Sequence, residues 1–272
     1  MKFLKACFHI TIIALLTILT QTGGIIYIVA LLINPKFSKR VNSKISLLLR
    51  FLVLYSFVSF IITPPLAKVF GRVALPVFSN NNVKPLNIMT YLLNRNYVTP
   101  QLKKSIESVS EKMNREYPNT VICYLDANFP FYNGYPLLPH LSHNDGKKLD
   151  LAFLYKDNTG KEVNKTAPSF IGYGVYEKPK EGESNTSQTC TEKGYWHYSI
   201  LHKIVPQRNA GKFTFDEKRN RALINIIAKE TATDKIFIEP HLKARMGITS
   251  NKIKFHGCHS IRHDDHIHFE IH

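Results

Sequence analysis

Aspartate and glutamate are missing from the first 72 residues, which hold nine of the chain's lysines and arginines. The formal net charge is +16, so residues 73–272 carry only +7. The basic excess is therefore partly an N-terminal feature. No basic stripe interleaves with aromatics as single-strand readers require, so no nucleic-acid partner is expected. Cysteine is scarce. Four are present and none forms Cys-x-x-Cys, which removes a structural zinc knuckle. No internal repeat is visible, which removes solenoid architectures. The 272 residues suffice for one sizeable domain plus appendages.

Long apolar runs are what the N-terminus does have. Ala6 to Pro35 is free of formal charge, and its length exceeds the roughly 20 residues that cross a bilayer. Thr20-Gln21-Thr22-Gly23-Gly24 weakens its middle. A second run, Phe51 to Ala67, is short unless Ile45–Leu49 extend it and Arg50 snorkels. Lys36, Lys39, Arg40 and Lys44 lie between the runs. Positive loops stay cytoplasmic, which would put both termini outside; Lys2 and Lys5 argue the other way for the first segment. A signal peptide followed by one anchor is the alternative, although no Ala-x-Ala site follows the first run. The expected organisation is a membrane region with two transmembrane helices over 1–78, a linker over 79–98, and a domain over 99–272. The domain is expected at the cell membrane, facing the periplasm or exterior.

Within that domain, Thr99-Pro100 is a helix start, and Leu102, Ile106, Val109 and Met113 give a helix over 100–114. Val121–Leu125 reads as a strand, and Asp150–Tyr155 as another with Asp150, Ala152 and Leu154 on one face. Residues 156–193 are polar and read as loops or an insertion. Thr214-x-x-Glu217 suggests a capping box opening a second helix. Lys235–Ile238 and Ile267–Ile271 read as strands. Cys7, in the first apolar run, is expected to be inert. An exported domain can pair two of Cys123, Cys190 and Cys258 and leave one free; buried free thiols are the other reading.

Two polar clusters carry the chemistry. One is His140-Leu141-Ser142-His143, followed by Gly146 and Asp150. The other is His263-Asp264-Asp265-His266-Ile267-His268. Alternation puts His266 and His268 on one face of the last strand. If that strand pairs with the Asp150 strand, His143, Asp150 and His268 converge. Three protein ligands with one open position describe a catalytic zinc, which activates water and polarises a carbonyl. That is the chemistry of peptide or amide hydrolysis. His263 and His266 remain beside the metal, suited to acid or base work. Asp264 and Asp265 either orient the imidazoles or sit in a solvated turn. Tyr195-Trp196-His197-Tyr198 is a cleft wall or core, and Glu239 and His241 read as structural.

His140-Leu-Ser-His143-x-x-Gly146-x-x-x-Asp150 resembles the first motif of the penicillin-insensitive murein endopeptidases. These belong with the lysostaphin, D-Ala-D-Ala and hedgehog-type zinc folds. His263-x-x-His266-x-His268 is similar to their second motif, and Lys235–Lys243 to the stretch between. The resemblance covers roughly residues 100–272. It implies an α+β fold, a small antiparallel sheet flanked by helices. It implies zinc on His143, Asp150 and His268, with His140 either a ligand of a second ion or an orienting residue. His266 would be the catalytic partner, because it shares the strand face of His268, with His263 in support. The implied substrate is the peptide crosslink of peptidoglycan. The alternatives are a zinc D,D-carboxypeptidase or amidase on stem peptides, or a non-catalytic hedgehog-like zinc domain. The apolar N-terminus and the insertion at 156–193 stand outside the resemblance.

Overall fold

The computed structural model describes residues 2–33, 43–78 and 81–272. The basic residues Lys36, Lys39 and Arg40, and Ser79 and Asn80 of the expected linker, lie outside them. The chain begins with helix α1 (Lys2–Thr20), then α2 (Gly23–Leu32). The first apolar run is thus two helices. Gln21, at φ +64°, reverses the chain, and α1 and α2 pack closely. Glycine is required there. A Cβ on Gly24 would lie 1.9 Å from Thr17 Oγ1 and 2.7 Å from the Ile13 carbonyl oxygen.

Helix α3 (Ser43–Phe57) continues through a π-helical turn, Val58–Ile62, into α4 (Thr63–Val69). Two helices, Lys2–Thr20 and Lys44–Val69, are long and apolar enough to cross a membrane. Arg50 does not depend on reaching an aqueous surface. Its guanidinium donates to the Ser46 carbonyl at 3.2 Å and the Ala30 carbonyl, near the α2 C-terminus, at 3.0 Å.

Beyond the helices come β1 (Val73–Ala74), β2 (Val83–Pro85), α5 (Met89–Leu92) and β3 (Tyr97–Val98). The segment read as a linker is therefore structured from Val83 onward. β2 forms one edge of the main sheet, beside β4 (Ile122–Tyr124). Between them, α6 (Pro100–Glu116) starts where its Thr99–Pro100 signal places it, the Thr99 hydroxyl accepting from the Leu102 amide at 3.3 Å.

The strand read over 150–155 is broken. β5 (Lys148–Ala152) belongs to the main sheet, and β6 (Tyr155–Lys156) to a small one with β7 (Glu162–Val163). Asn220 causes the break: its side chain accepts from the Leu154 amide and donates to the Leu154 carbonyl, in place of a sheet neighbour. Helices α7 (Thr186–Glu192) and α8 (Ile200–Ile204) follow. β8 (Thr214–Phe215) then joins the small sheet, and α9 (Glu217–Lys229) begins two residues later than the Thr214 capping box suggests. Asp216 caps it instead, accepting from the Arg219 amide at 3.2 Å and pairing with the Arg219 guanidinium at 2.8 Å.

β9 (Thr233–Phe237), α10 (Pro240–Arg245), β10 (Ile253–Lys254) and β11 (His266–Ile271) complete the chain. The main sheet has six strands in the order β10-β9-β11-β5-β4-β2. It is larger than the small antiparallel sheet expected, and mixed: β9, β11, β5 and β4 are antiparallel, and both edge strands pair in parallel. Strand alternation divides its two faces. Leu149, Leu151, Ile267, Phe269 and Ile271 join α6 and α9 in the core. Asp150, His266, His268 and Glu270 fall on the other face. Cys190 and Cys258 form a disulfide; Cys123 is a buried free thiol, and Cys7 is free and exposed.

Candidate metal centre

β5 and β11 set the centre. Their antiparallel register puts His268 opposite Asp150 and His266 opposite Ala152. The pairing expected from the sequence is the one found. His143 comes from the loop before β5. That loop is held at Gly146, whose amide donates to Asn128 Oδ1 and whose carbonyl accepts from the Thr99 amide. Gly146 has φ +79°, and a Cβ there would lie 2.1 Å from Arg72 Nη1. Arg72 is buried, just past α4, so the N-terminal helices abut the loop that carries His140 and His143.

The inner atoms of three side chains meet. His143 Nε2 lies 3.0 Å from His268 Nδ1 and 3.2 Å from Asp150 Oδ1, and His268 Nδ1 is 2.8 Å from the same oxygen. The far nitrogens are committed as donors: His143 Nδ1 to the Ala127 carbonyl at 2.7 Å, and His268 Nε2 to Glu270 Oε1 at 3.2 Å. This leaves lone pairs on both inner nitrogens, aimed at a carboxylate oxygen. Such an arrangement repels itself unless a proton or a cation sits among the three. A tetrahedral zinc with bonds of roughly 2.0–2.1 Å separates its ligands by about 3.3 Å, close to these spacings. All three side chains are buried.

A second group shares Asp150. His140 Nδ1 lies 3.0 Å from Asp150 Oδ2 and 3.4 Å from Asp126 Oδ2, and His266 Nε2 lies 3.7 Å from Asp150 Oδ1. Among the described residues, His140 Nε2 and His266 Nε2 have no hydrogen-bond partner. His140, Asp150 and His266 can also hold an ion. His266 is therefore placed both as a neighbour of the first group and as a ligand in the second.

Charge follows this geometry. Burial opposes ionisation of Asp150, but the imidazoles around it prevail and hold its carboxyl well below the usual range. Burial lowers His143. Burial and the rings of His266 and His268 hold His263 well below the ordinary histidine range, hence neutral. Burial also opposes the charge on His140, but Asp150 and Asp126 overcome it and raise it to about 9.

The two aspartates between the histidines are buried, which rules out a solvated turn. Asp265 Oδ1 accepts from His266 Nδ1, and its other oxygen accepts from the Gly174 amide at 2.6 Å. Asp264 serves the structure around the site instead, paired with Arg262. Tyr195–Tyr198 divides: Tyr198 is core and donates to buried Glu239 at 2.6 Å, while Trp196 is exposed. Glu239 also accepts from the His263 amide, which fits its structural reading.

Four residues at the centre escape a sequence reading. Tyr173, inside the polar insertion, donates from its phenol to Asp150 Oδ2 at 2.8 Å. Asp126 follows the β4 segment and binds Arg95 at 2.8 Å. Glu270 is set by the β11 alternation that sets His268. His256 is exposed, stacks on Phe237 at 4.2 Å and lies 5.3 Å from the His263 ring, at the solvent side of the histidines. The alternation of β11 was a signal for Glu270; Tyr173, Asp126 and His256 had none.

Comparison of the sequence with known protein families and with curated proteins finds no match to either.

Proposed function

We propose that this chain is a membrane-anchored zinc peptidase that hydrolyses peptide crosslinks of peptidoglycan. The observation that carries the reading is the convergence of His143 Nε2, Asp150 Oδ1 and His268 Nδ1, with His266 and His263 alongside. The motif resemblance to the murein endopeptidases supplies the substrate class. His143, Asp150 and His268 would hold the zinc, which when bound supplies Lewis acidity toward a peptide carbonyl and toward water.

The chain's own groups divide the remaining work. Asp265 fixes the His266 ring through Nδ1, leaving Nε2 as the base that takes a proton from the attacking water. Neutral His263, 4.9 Å from His266 between ring centres, would donate to the carbonyl oxygen. Tyr173 and Glu270 hold Asp150 and His268 in place.

The helix arrangement supports an external domain. Tyr27 of α2 bonds His9 of α1 at 2.8 Å and contacts Phe51 of α3. From that level the start of α1, the end of α2 and the start of α3 all run the same way. Lys2 and Lys5 then share a side with the end of α2 and the start of α3, the two ends that the sequence segment with Lys36, Lys39 and Arg40 joins. Both charge clusters then favour the same orientation, which under the positive-inside rule would make that side cytoplasmic. The Cys190–Cys258 disulfide fits an oxidising compartment.

The test is digestion of purified crosslinked muropeptides by the full chain in detergent with zinc, beside a His268→Ala control. Crosslink cleavage by the wild type alone is expected, with about one zinc bound per chain. Release of a terminal residue would indicate a carboxypeptidase, and a bare stem an amidase. Bound zinc without any product would indicate a binding domain. Absence of both zinc and products would refute the reading.

A further inference from the structure

We propose that the catalytic domain does not stand off on a tether but sits in the adjoining membrane leaflet, with bilayer lipid as the partner of the face around α4 and α5. This rests on the reading of the N-terminal helices as membrane spans.

The face begins on α4. Ser59, Thr63 and Ala67 recur every four residues and are buried against the protein. The opposite side of the same helix carries Ile62, Leu66 and Val69, all exposed, Val69 at 81%. Its last turn carries one exposed cation, Lys68, whose long stem can reach the headgroups while Ile62, Leu66 and Val69 keep that side apolar. It continues the exposed apolar surface of α3, where Leu52 and Val53 are also uncovered.

α5 lies against the same helix. The Tyr55 hydroxyl donates to the Leu92 carbonyl at 2.7 Å, and Tyr91 stacks on Phe60 at 4.7 Å and meets the edge of exposed Phe78 at 5.8 Å. Ile88, Met89 and Leu92 are exposed nonetheless. Asn94, just past α5, fixes the depth. Its amide reaches Thr22 Oγ1 at 3.1 Å and Ser59 Oγ at 3.2 Å, so α5 is level with the end of α1. α1 has 19 residues, about 28 Å of helix, close to one hydrocarbon core. The exposed side chains of α5 therefore lie where apolar core gives way to headgroups, the zone that aromatic and apolar anchors occupy.

Lipid is favoured over a second copy because the patch is continuous with the spans. A cavity of about 190 Å³ reaches this face between Met89 and Ile171. Asp126 and Tyr173 form part of its wall, and the same two side chains touch His140 and Asp150. The leaflet and the metal centre are thus separated by one layer of side chains.

The test uses the full chain in lipid nanodiscs, with Cys7→Ser and Cys123→Ala and the disulfide retained. Single spin labels are placed by Met89→Cys, Val69→Cys, Val53→Cys and Asn158→Cys, the last in the exposed β6–β7 turn. Collision with oxygen and with a water-soluble nickel chelate is measured at each. The expected result is oxygen access and nickel shielding at 53, 69 and 89, with the reverse at 158. Nickel access at 69 and 89 with a shielded 53 overturns leaflet seating alone. Nickel access at 53 as well overturns the membrane reading and this inference with it. Shielding of 69 and 89 from both reagents would mean protein covers the face, and would overturn the lipid assignment.

Discussion

Replacing Asp150 by asparagine tests the metal centre directly. The carboxylate gives one oxygen to the inner nitrogens of His143 and His268 and the other to Tyr173 and His140. Asparagine keeps the shape but loses the charge, and its amide presents hydrogens where a cation needs lone pairs. In the wild type, free zinc at a hundred times its dissociation constant should stabilise the fold by about 2.7 kcal/mol. For a domain of this size each kcal/mol moves the midpoint by about 2–4 °C, so the expected rise is about 5–11 °C. In Asp150→Asn the rise should fall to roughly a degree or less. The metal-free variant should itself be weaker by roughly 3–5 kcal/mol, the usual consequence of breaking a buried charged pair. Tyr173→Phe separates the two effects: it removes one hydrogen bond, about 1 kcal/mol, and should keep most of the zinc response. Protons compete for the same lone pair. Burial disfavours charge on His268, but Asp150 and Glu270 outweigh it and raise its hold on a proton. The zinc-induced rise should therefore shrink as pH falls through the histidine range. The assay is thermal unfolding of the full chain in detergent, with and without zinc. A wild type that does not respond, or an Asp150→Asn variant that responds undiminished, would refute the reasoning.

Asp265→Asn should leave zinc content unchanged while lowering kcat on crosslinked muropeptides about 10–100-fold and altering its pH profile, because His266 loses the partner that fixes its ring. Gly146→Ala should lower the thermal midpoint, through about 1–2 kcal/mol of left-handed backbone strain plus displacement of the Arg72 guanidinium; an unchanged midpoint would contradict the contact. The Glu183–Arg245 pair, bonded at 2.9 and 2.6 Å, lowers Glu183 to about 2. Its contribution is complete above the ordinary glutamate range and lost as pH falls toward 2. Glu183→Gln should cost about 1–2 kcal/mol at neutral pH and flatten that acid limb of the stability curve.

The centre was legible where its geometry is local. A period of two fixes which histidines of β11 share a face, and one strand pairing then brings Asp150 opposite His268. Helix α6 was legible for the same kind of reason, since its cap and its apolar stripe lie within one segment. What escaped depends on distant partners. Tyr173 lies in a polar stretch with no periodicity, and only the folded chain brings its phenol to Asp150. The Gln21 turn was half visible, as a weak point in an apolar run, but its packing depends on Thr17 and Ile13 from the preceding helix. Residues from 83 onward were read as linker because β2 is three residues long, too short to carry a pattern.

β11 occupies the middle of the sheet, between β9 and β5, yet it is the last of the six strands in chain order. Without β11 the other five strands fall into two sets, β10–β9 and β5–β4–β2, with no pairing between them. Pairing β11 with β5 joins residues more than a hundred positions apart, a non-local contact of the kind that slows folding. The joining strand is also the one that brings His266 and His268. Closure of the sheet and convergence of the candidate ligands thus depend on the same strand.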